Sequence, residues 1–327
     1  MARLVLAFVA ALFAATASAQ GKNFPAHWPR TLTLATGSLG ATYMVYGKAW
    51  AELVNASLGT HITLQQTEGP VQNIGLTDAR LTDLGMTTMG VALQALHGKG
   101  EWTHGRRYRN FRAVFPMYDT PFHFVSLEKS GVRQVRDLNG RKAGVGPKGG
   151  TCGTYIPQIF KVLGIEATLR HGQAADMAAS LQDGLIEAFP FCAGVPVGAY
   201  AELESVNKVR FFSFTRDEIR RIKAAFPELS EAIIPRGAYR QLREDQLTVG
   251  VFNFAIAHKD LPEDLVYEIT KAVLEGQAQL VTAHPAAKET RLENWSRNSA
   301  IPFHPGALRY YREKGISVPA SLKPPSS

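Results

Sequence analysis

Cysteine is scarce in this 327-residue chain: there are two, Cys152 and Cys192, and no C-x-x-C pair. The nine histidines are scattered and no H-E-x-x-H occurs, so the usual ligand spacings of zinc sites are absent. No G-x-S-x-G elbow is present to expose a serine nucleophile. No G-x-G-x-x-G follows the first strand-like run, and no repeat array or low-complexity tract appears. Acids are outnumbered, 28 against 36 basic residues, for a formal charge of +8. A surplus of that size weakly favours anionic ligands and usually means a solvated surface. The basic run Arg106, Arg107, Arg109 and Arg112 has only Tyr108 and Phe111 as interleaved aromatics, too few for nucleic-acid stacking, and is expected to be a solvated edge.

Only one long apolar run exists, Leu4 to Ala15, and it sits behind a single charge, Arg3, and ahead of Ala17-Ser18-Ala19. This pattern predicts a secretory signal over residues 1–19 with cleavage after Ala19, too short for a membrane span of about 20 residues. No cysteine follows the run, which argues against a lipid anchor. About 300 remaining residues exceed what one core usually serves, and two domains are expected. Export also permits a disulfide.

Strand-like runs alternate with helical patterns, the mark of an α/β protein with mostly parallel sheets. Expected strands are Thr31–Ala35, His61–Gln65 and Thr82–Met86, then the extended runs Ala113–Tyr118 and Phe122–Leu127. A restarted series follows: Lys142–Val145, Ala167–Arg170 and Ile186–Phe191, with a long strand at Thr248–His258. Two sheets of three or more strands, joined by crossings near residues 118 and 250, predict two lobes with a hinge: 20–118 plus 255–327, and 119–254. Such a hinge places a ligand cleft where the strands' carboxyl ends face each other. The Pro/Ser-rich end Val318–Ser327 is expected to fray.

Three loops share one construction, a strand followed by glycine and a helix start: Thr36–Gly40, Gln66–Pro70 and Gly146–Thr151. Helix starts leave N–H groups without partners, which favour an anion by roughly 0.3–1 kcal/mol in exposed settings. Glycine admits a ligand to the backbone, and Ser38, Thr42, Thr67, Thr151 and Thr154 can add hydroxyls. The third loop is not a P-loop, because Lys148 precedes its glycine pair instead of following the last glycine. Cys152, at a helix start beside Lys148, is where a thiolate would be stabilised, but a disulfide with Cys192 is the expected state, since both should lie at the carboxyl edge of the second lobe in an oxidising compartment; an inert thiol and then a reactive thiolate are the alternatives.

The segments Ala35–Leu53, Gln65–Leu76, Asp137–Thr151, Leu181–Phe189, Gly194–Val197, Ile234–Arg240, Leu261–Val273 and His304–Ile316 together resemble the TAXI family. Its members are the periplasmic solute receptors of tripartite ATP-independent periplasmic (TRAP) transporters. The resemblance implies a type II periplasmic binding-protein fold that closes on a small anionic or zwitterionic carboxylate, glutamate-like or dicarboxylate, and passes it to membrane permease subunits. It also implies periplasmic localisation, with no cofactor, metal, nucleic acid or catalytic residue. A monomer is expected. Carried over by position, Thr36, Gly37, Ser38, Gly40, Tyr43, Thr67, Gly69, Val71, Asn73, Gly149, Gly150 and Thr151 should line the ligand. Thr87 and Phe191, at strand ends, are added to this set. Glu68 and Lys148 depart from the family pattern; Lys148 is assigned to a ligand carboxylate and Glu68 to the rim or a ligand amine. A receptor feeding a sensor, or an enzyme using Cys152, are the alternatives.

Overall fold

The computed structural model describes residues 24–324, so the expected leader, residues 1–19, lies outside the described residues. The first half is three strand–helix units: β1 (Thr31–Ala35), α1 (Thr42–Leu58), β2 (His61–Gln65), α2 (Pro70–Asp78), β3 (Leu84–Thr88) and α3 (Met89–His97). Local chemistry sets their ends. Pro70 opens α2, where its missing N–H costs nothing, and Gly59 closes α1 in a left-handed turn, its N–H on the Asn55 carbonyl. β3 begins later than the sequence pattern suggested because Asp83 is spent on the edge of β1, accepting from the Thr33 amide at 2.8 Å.

The middle of the chain begins with β4 (Phe111–Leu127), then runs β5 (Lys142–Gly144), α4 (Thr151–Leu163), β6 (Thr168–Arg170), α5 (Ala174–Gln182) and β7 (Phe189–Cys192). It continues with α6 (Gly198–Val206), β8 (Val209–Phe212), α7 (Arg216–Ala225) and β9 (Ser230–Ile234). The chain closes with β10 (Gln246–His258), α8 (Glu263–Glu275), α9 (Gln277–Ala283) and α10 (Pro305–Glu313).

Two extended runs were expected where there is one strand: β4 is continuous through Asp119 and Pro121 for 17 residues. The proline breaks the hydrophobic pattern but not the strand, because β10 registers across it, Gly250 opposite Pro121. Nor is the second sheet independent. Strand order is β2-β1-β3-β10-β4-β7, with β8 also on β4 and β9 also on β10, while β5 and β6 form a separate parallel pair. β4 pairs with β10 up to Pro121 and with β7 and β8 from Phe122 onward. β10 pairs with β9 over Gln246–Gly250 and with β3 over Asn253–Ala257. Long crossing strands thus replace the separate second sheet. At about 3.3 Å per residue, β4 extends over roughly 55 Å.

Most apolar side chains on both sides of β4 and β10 are buried. Leu34, Trp50, Val114 and Ile269 pack in one cluster, and Val125, Phe189, Tyr200 and Tyr239 in another. A third cluster spans the junction, with Tyr155 of α4 against α3; a Cβ on Gly90 would come within 1.9 Å of the Tyr155 hydroxyl.

The basic run is not a simple solvated edge. Buried Asp78 accepts from the amides of Arg109 and Asn110, both at 2.7 Å, and from Arg106 at 3.2 Å. Arg112 is buried, donating to the carbonyls of Arg109 and Phe111. The described part of the tail is likewise held: Leu322 is buried and its carbonyl accepts from the Phe303 amide. Among the described residues no helix is long and apolar enough to cross a membrane.

Candidate functional site

All three glycine loops sit at the carboxyl ends of their strands, as strand-to-helix turns must, and two of them touch. The Glu68 carboxylate accepts from the Gly149 amide at 2.9 Å, and the Val71 amide donates to the Gly149 carbonyl at 3.1 Å. Gly69 has φ +124°, a conformation open to glycine, and a Cβ there would lie 3.3 Å from the Gly150 Cα. The first loop meets the starts of α5 and α6 instead. Ala174 N–H donates to Ser38 Oγ at 2.7 Å, Ala175 N–H to the Leu39 carbonyl at 3.3 Å, and Ala199 N–H to the Gly40 carbonyl at 3.1 Å. Neither helix has a side-chain cap of its own, so the first loop supplies acceptors to both starts.

These loops enclose a cavity of about 40 Å³, on the order of three water molecules. Of the residues singled out from sequence, Gly37, Ser38, Tyr43, Glu68, Gly69, Gly150, Thr151 and Phe191 line it. Thr36, Gly40, Thr67, Val71, Asn73, Thr87, Lys148 and Gly149 do not. Four of these have their polar side chains occupied elsewhere. Asn73 donates to the carbonyls of Thr36 (2.7 Å) and Met86 (2.8 Å), and the Thr67 hydroxyl lies 2.7 Å from Asn73 Oδ1 and 3.0 Å from the Thr36 carbonyl. The Thr36 hydroxyl donates to the Gln65 carbonyl at 2.8 Å and that of Thr87 to the Thr88 carbonyl at 3.3 Å. The first three form a bracket that fixes the first two loops to β3. Lys148 is exposed, and so is most of Glu68.

The sequence reading missed Thr120 of β4, which lines the cavity. The expected Cys152–Cys192 bridge is present, and both of its cysteines line the cavity too. The bridge ties the start of α4 to the end of β7 and leaves no free cysteine among the described residues. With both sulfurs bonded, Cys152 has no thiolate to offer as a nucleophile, which removes the enzyme alternative built on it.

The lining residues carry several donors without partners. The N–H groups of Thr151 and Cys152, in the first turn of the 13-residue α4, have no acceptor among the described residues, and neither does the Thr151 hydroxyl. The third loop folds back tightly on that turn, since a Cβ on Gly153 would fall 2.1 Å from the Pro147 carbonyl. Phe191 covers it from the other side, 2.7 Å from a Cβ built on Gly146. Tyr43 donates to Asn253 Oδ1 at 2.7 Å, and burial pushes its pKa up, so it stays a neutral phenol. No lysine or arginine lines the cavity, and Glu68 is its single charged residue.

A profile of the NMT1-like family matches residues 34–315. The chain belongs to the NMT1-like family. This NMT1-like chain is also similar in fold to solved periplasmic binding proteins. MatC from Rhodopseudomonas palustris, with bound malate, superposes with a TM-score of 0.57 at 14% identity, covering 87% of this chain and 96% of MatC. The periplasmic binding protein BugD gives 0.54 at 13%, covering 88% and 99%. An R. palustris protein with adipate gives 0.54 at 16%, covering 83% and 95%. The NMT1-like chain thus has the α/β fold of periplasmic binding proteins.

Proposed function

We propose that this protein is a periplasmic solute-binding receptor that holds a small carboxylate between two lobes, 20–118 plus 255–327 and 119–254, and hands it to a membrane transporter. The observation that carries the reading is the donor set at the start of α4. The amides of Thr151 and Cys152 and the Thr151 hydroxyl have no acceptor among the described residues, and both residues line the cavity beside loops from the other half of the chain. Partly buried helix starts favour an anion by up to about 2 kcal/mol, and no histidine or free thiol is there to do chemistry. The malate and adipate seen in proteins of like fold are small carboxylates of the expected kind.

A cavity of about 40 Å³ has room for about three water molecules, and in this reading the loops part to admit the solute and close around it. Crossing strands β4 and β10 are the natural hinge, each changing partners near the cavity. Closure around the solute would exclude water and strengthen its polar contacts. The run of segments resembling TAXI receptors supports a TRAP permease as the partner. Lys148, exposed on the third loop, is assigned to pairing with a ligand carboxylate, and Glu68 to the rim.

The test is a thermal-shift and calorimetry panel of L-malate, adipate, succinate and L-glutamate on the wild type and Lys148→Ala. At a hundred times its Kd a true ligand should stabilise the fold by about 2.7 kcal/mol. Absence of any shift across the panel overturns the carboxylate reading. Undiminished affinity of the Lys148→Ala protein overturns the pairing alone.

A further inference from the structure

Thr120 lies in β4 just before the strand exchanges β10 for β7 and β8. It lines the cavity and is only 2% exposed, so its hydroxyl has no recourse to bulk water. The direction of the hydrogen bonds around it can be worked out. Asn253 of β10 presents one end of its amide to the Tyr118 carbonyl at 2.6 Å. A carbonyl only accepts, so that end must be Nδ2. The other end, Oδ1, then accepts from Tyr43, whose phenol is held neutral by burial. The second hydrogen of Nδ2 donates to Thr120 Oγ1 at 2.7 Å. Thr120 therefore accepts one hydrogen bond and keeps an unused proton, for which no acceptor is found among the described residues. Thr151, whose hydroxyl is also unpartnered, lines the same cavity.

We propose that the Thr120 hydroxyl donates directly to the bound solute, and that the solute meets it with a carboxylate oxygen. Tyr43 and Asn253 act as positioning residues that keep this proton pointed inward. A carboxylate oxygen is the ligand group that accepts this proton, so the end of the ligand held here is the anionic one. The inference rests on the carboxylate reading above and adds a donor outside the three glycine loops, on the hinge strand itself.

The panel member among L-malate, adipate, succinate and L-glutamate that binds the wild type tightest by calorimetry serves as the probe. Thr120→Val keeps the shape and removes the hydroxyl; Thr120→Ser restores it. A hydrogen bond to a charged group is worth enough that Thr120→Val should weaken the probe at least tenfold, with Thr120→Ser within about threefold of wild type. Melting curves establish that each variant is folded, and if Thr120→Val is not, Thr120→Ala takes its place with the same expectation. Wild-type affinity in the folded variant lacking the hydroxyl overturns the role of Thr120 and leaves the carboxylate reading standing. Failure of every panel member to bind the wild type overturns that reading, and this inference with it.

Discussion

Reduction of the Cys152–Cys192 bridge is expected to lower the unfolding free energy by about 4 kcal/mol, the loop-entropy value for a crosslink closing some forty residues. That is a large part of the roughly 5–15 kcal/mol typical of a domain. The bridge is buried, so native protein should resist mild reductant, and the effect should be read with Cys152→Ser/Cys192→Ser or after reduction in denaturant. Urea melts of the bridged and bridge-free proteins measure the difference, and equal midpoints would refute it. Function should suffer as well, because the bridge positions the first turn of α4, where the unpartnered amides are. The bridge-free protein is expected to bind the panel's best ligand more weakly even at temperatures where it remains folded.

Acidification is expected to destabilise the protein steeply between pH 6.5 and 4. Burial holds His123 and His304 down to about 4, from an ordinary value near 6.5. His123 has Nδ1 at the Pro121 carbonyl and Nε2 at the Tyr239 hydroxyl, while His304 faces Arg112 and accepts from the Gly306 amide. The unfolded chain takes up protons that the folded chain refuses, so stability falls as pH drops below 6.5, and the loss is complete only below the folded values near 4. At pH 5 each ring accounts for about 2 kcal/mol of the loss. His284, also lowered by burial, pushes the same way. Asp119 and Glu289 oppose it, since burial raises both and their penalty is relieved on acidification. Two histidines with large shifts outweigh two partly compensated carboxyls. Urea melts at pH 7.5 and pH 5 should differ by several kcal/mol, and ring NMR signals of His123 and His304 should remain those of neutral imidazole at pH 5. A flat stability profile over that range would contradict this account.

The α/β class, the strands β1 and β2 and the helix openings at Pro70 and Thr151 were all readable from local pattern, because proline, glycine and alternation act within a few residues. The stretch from α6 to β9 was not read as elements. β8 is four residues long, and α7 is so polar that its helical face is faint, although Thr215 and Glu218 do form a readable capping box. Sheet membership was misjudged for a different reason: whether β7 pairs with β5 or β4 depends on partners dozens of residues away. The same limit applies at the cavity. Thr36, Thr67 and Asn73 have the right chemistry and the right loops, but their donors are occupied by backbone carbonyls that only the fold brings near. Thr120 has no glycine beside it and reads as one more strand residue. Its significance comes from Asn253, which stands 133 positions further along.

The first loop's acceptors on α5 and α6 carry a consequence for energetics. Ser38 Oγ and the carbonyls of Leu39 and Gly40 complete two helix starts only while the halves are together. In the hinged receptor proposed above, each opening would hand those three amides back to water, so part of the closing force resides in the empty protein and is not supplied by the ligand. Ala174, Ala175 and Ala199 would then exchange their amide hydrogens at the rate and population of the open form, and saturating ligand should slow all three together. Independent exchange at these sites would mean that the loop and the two helices do not part as a unit.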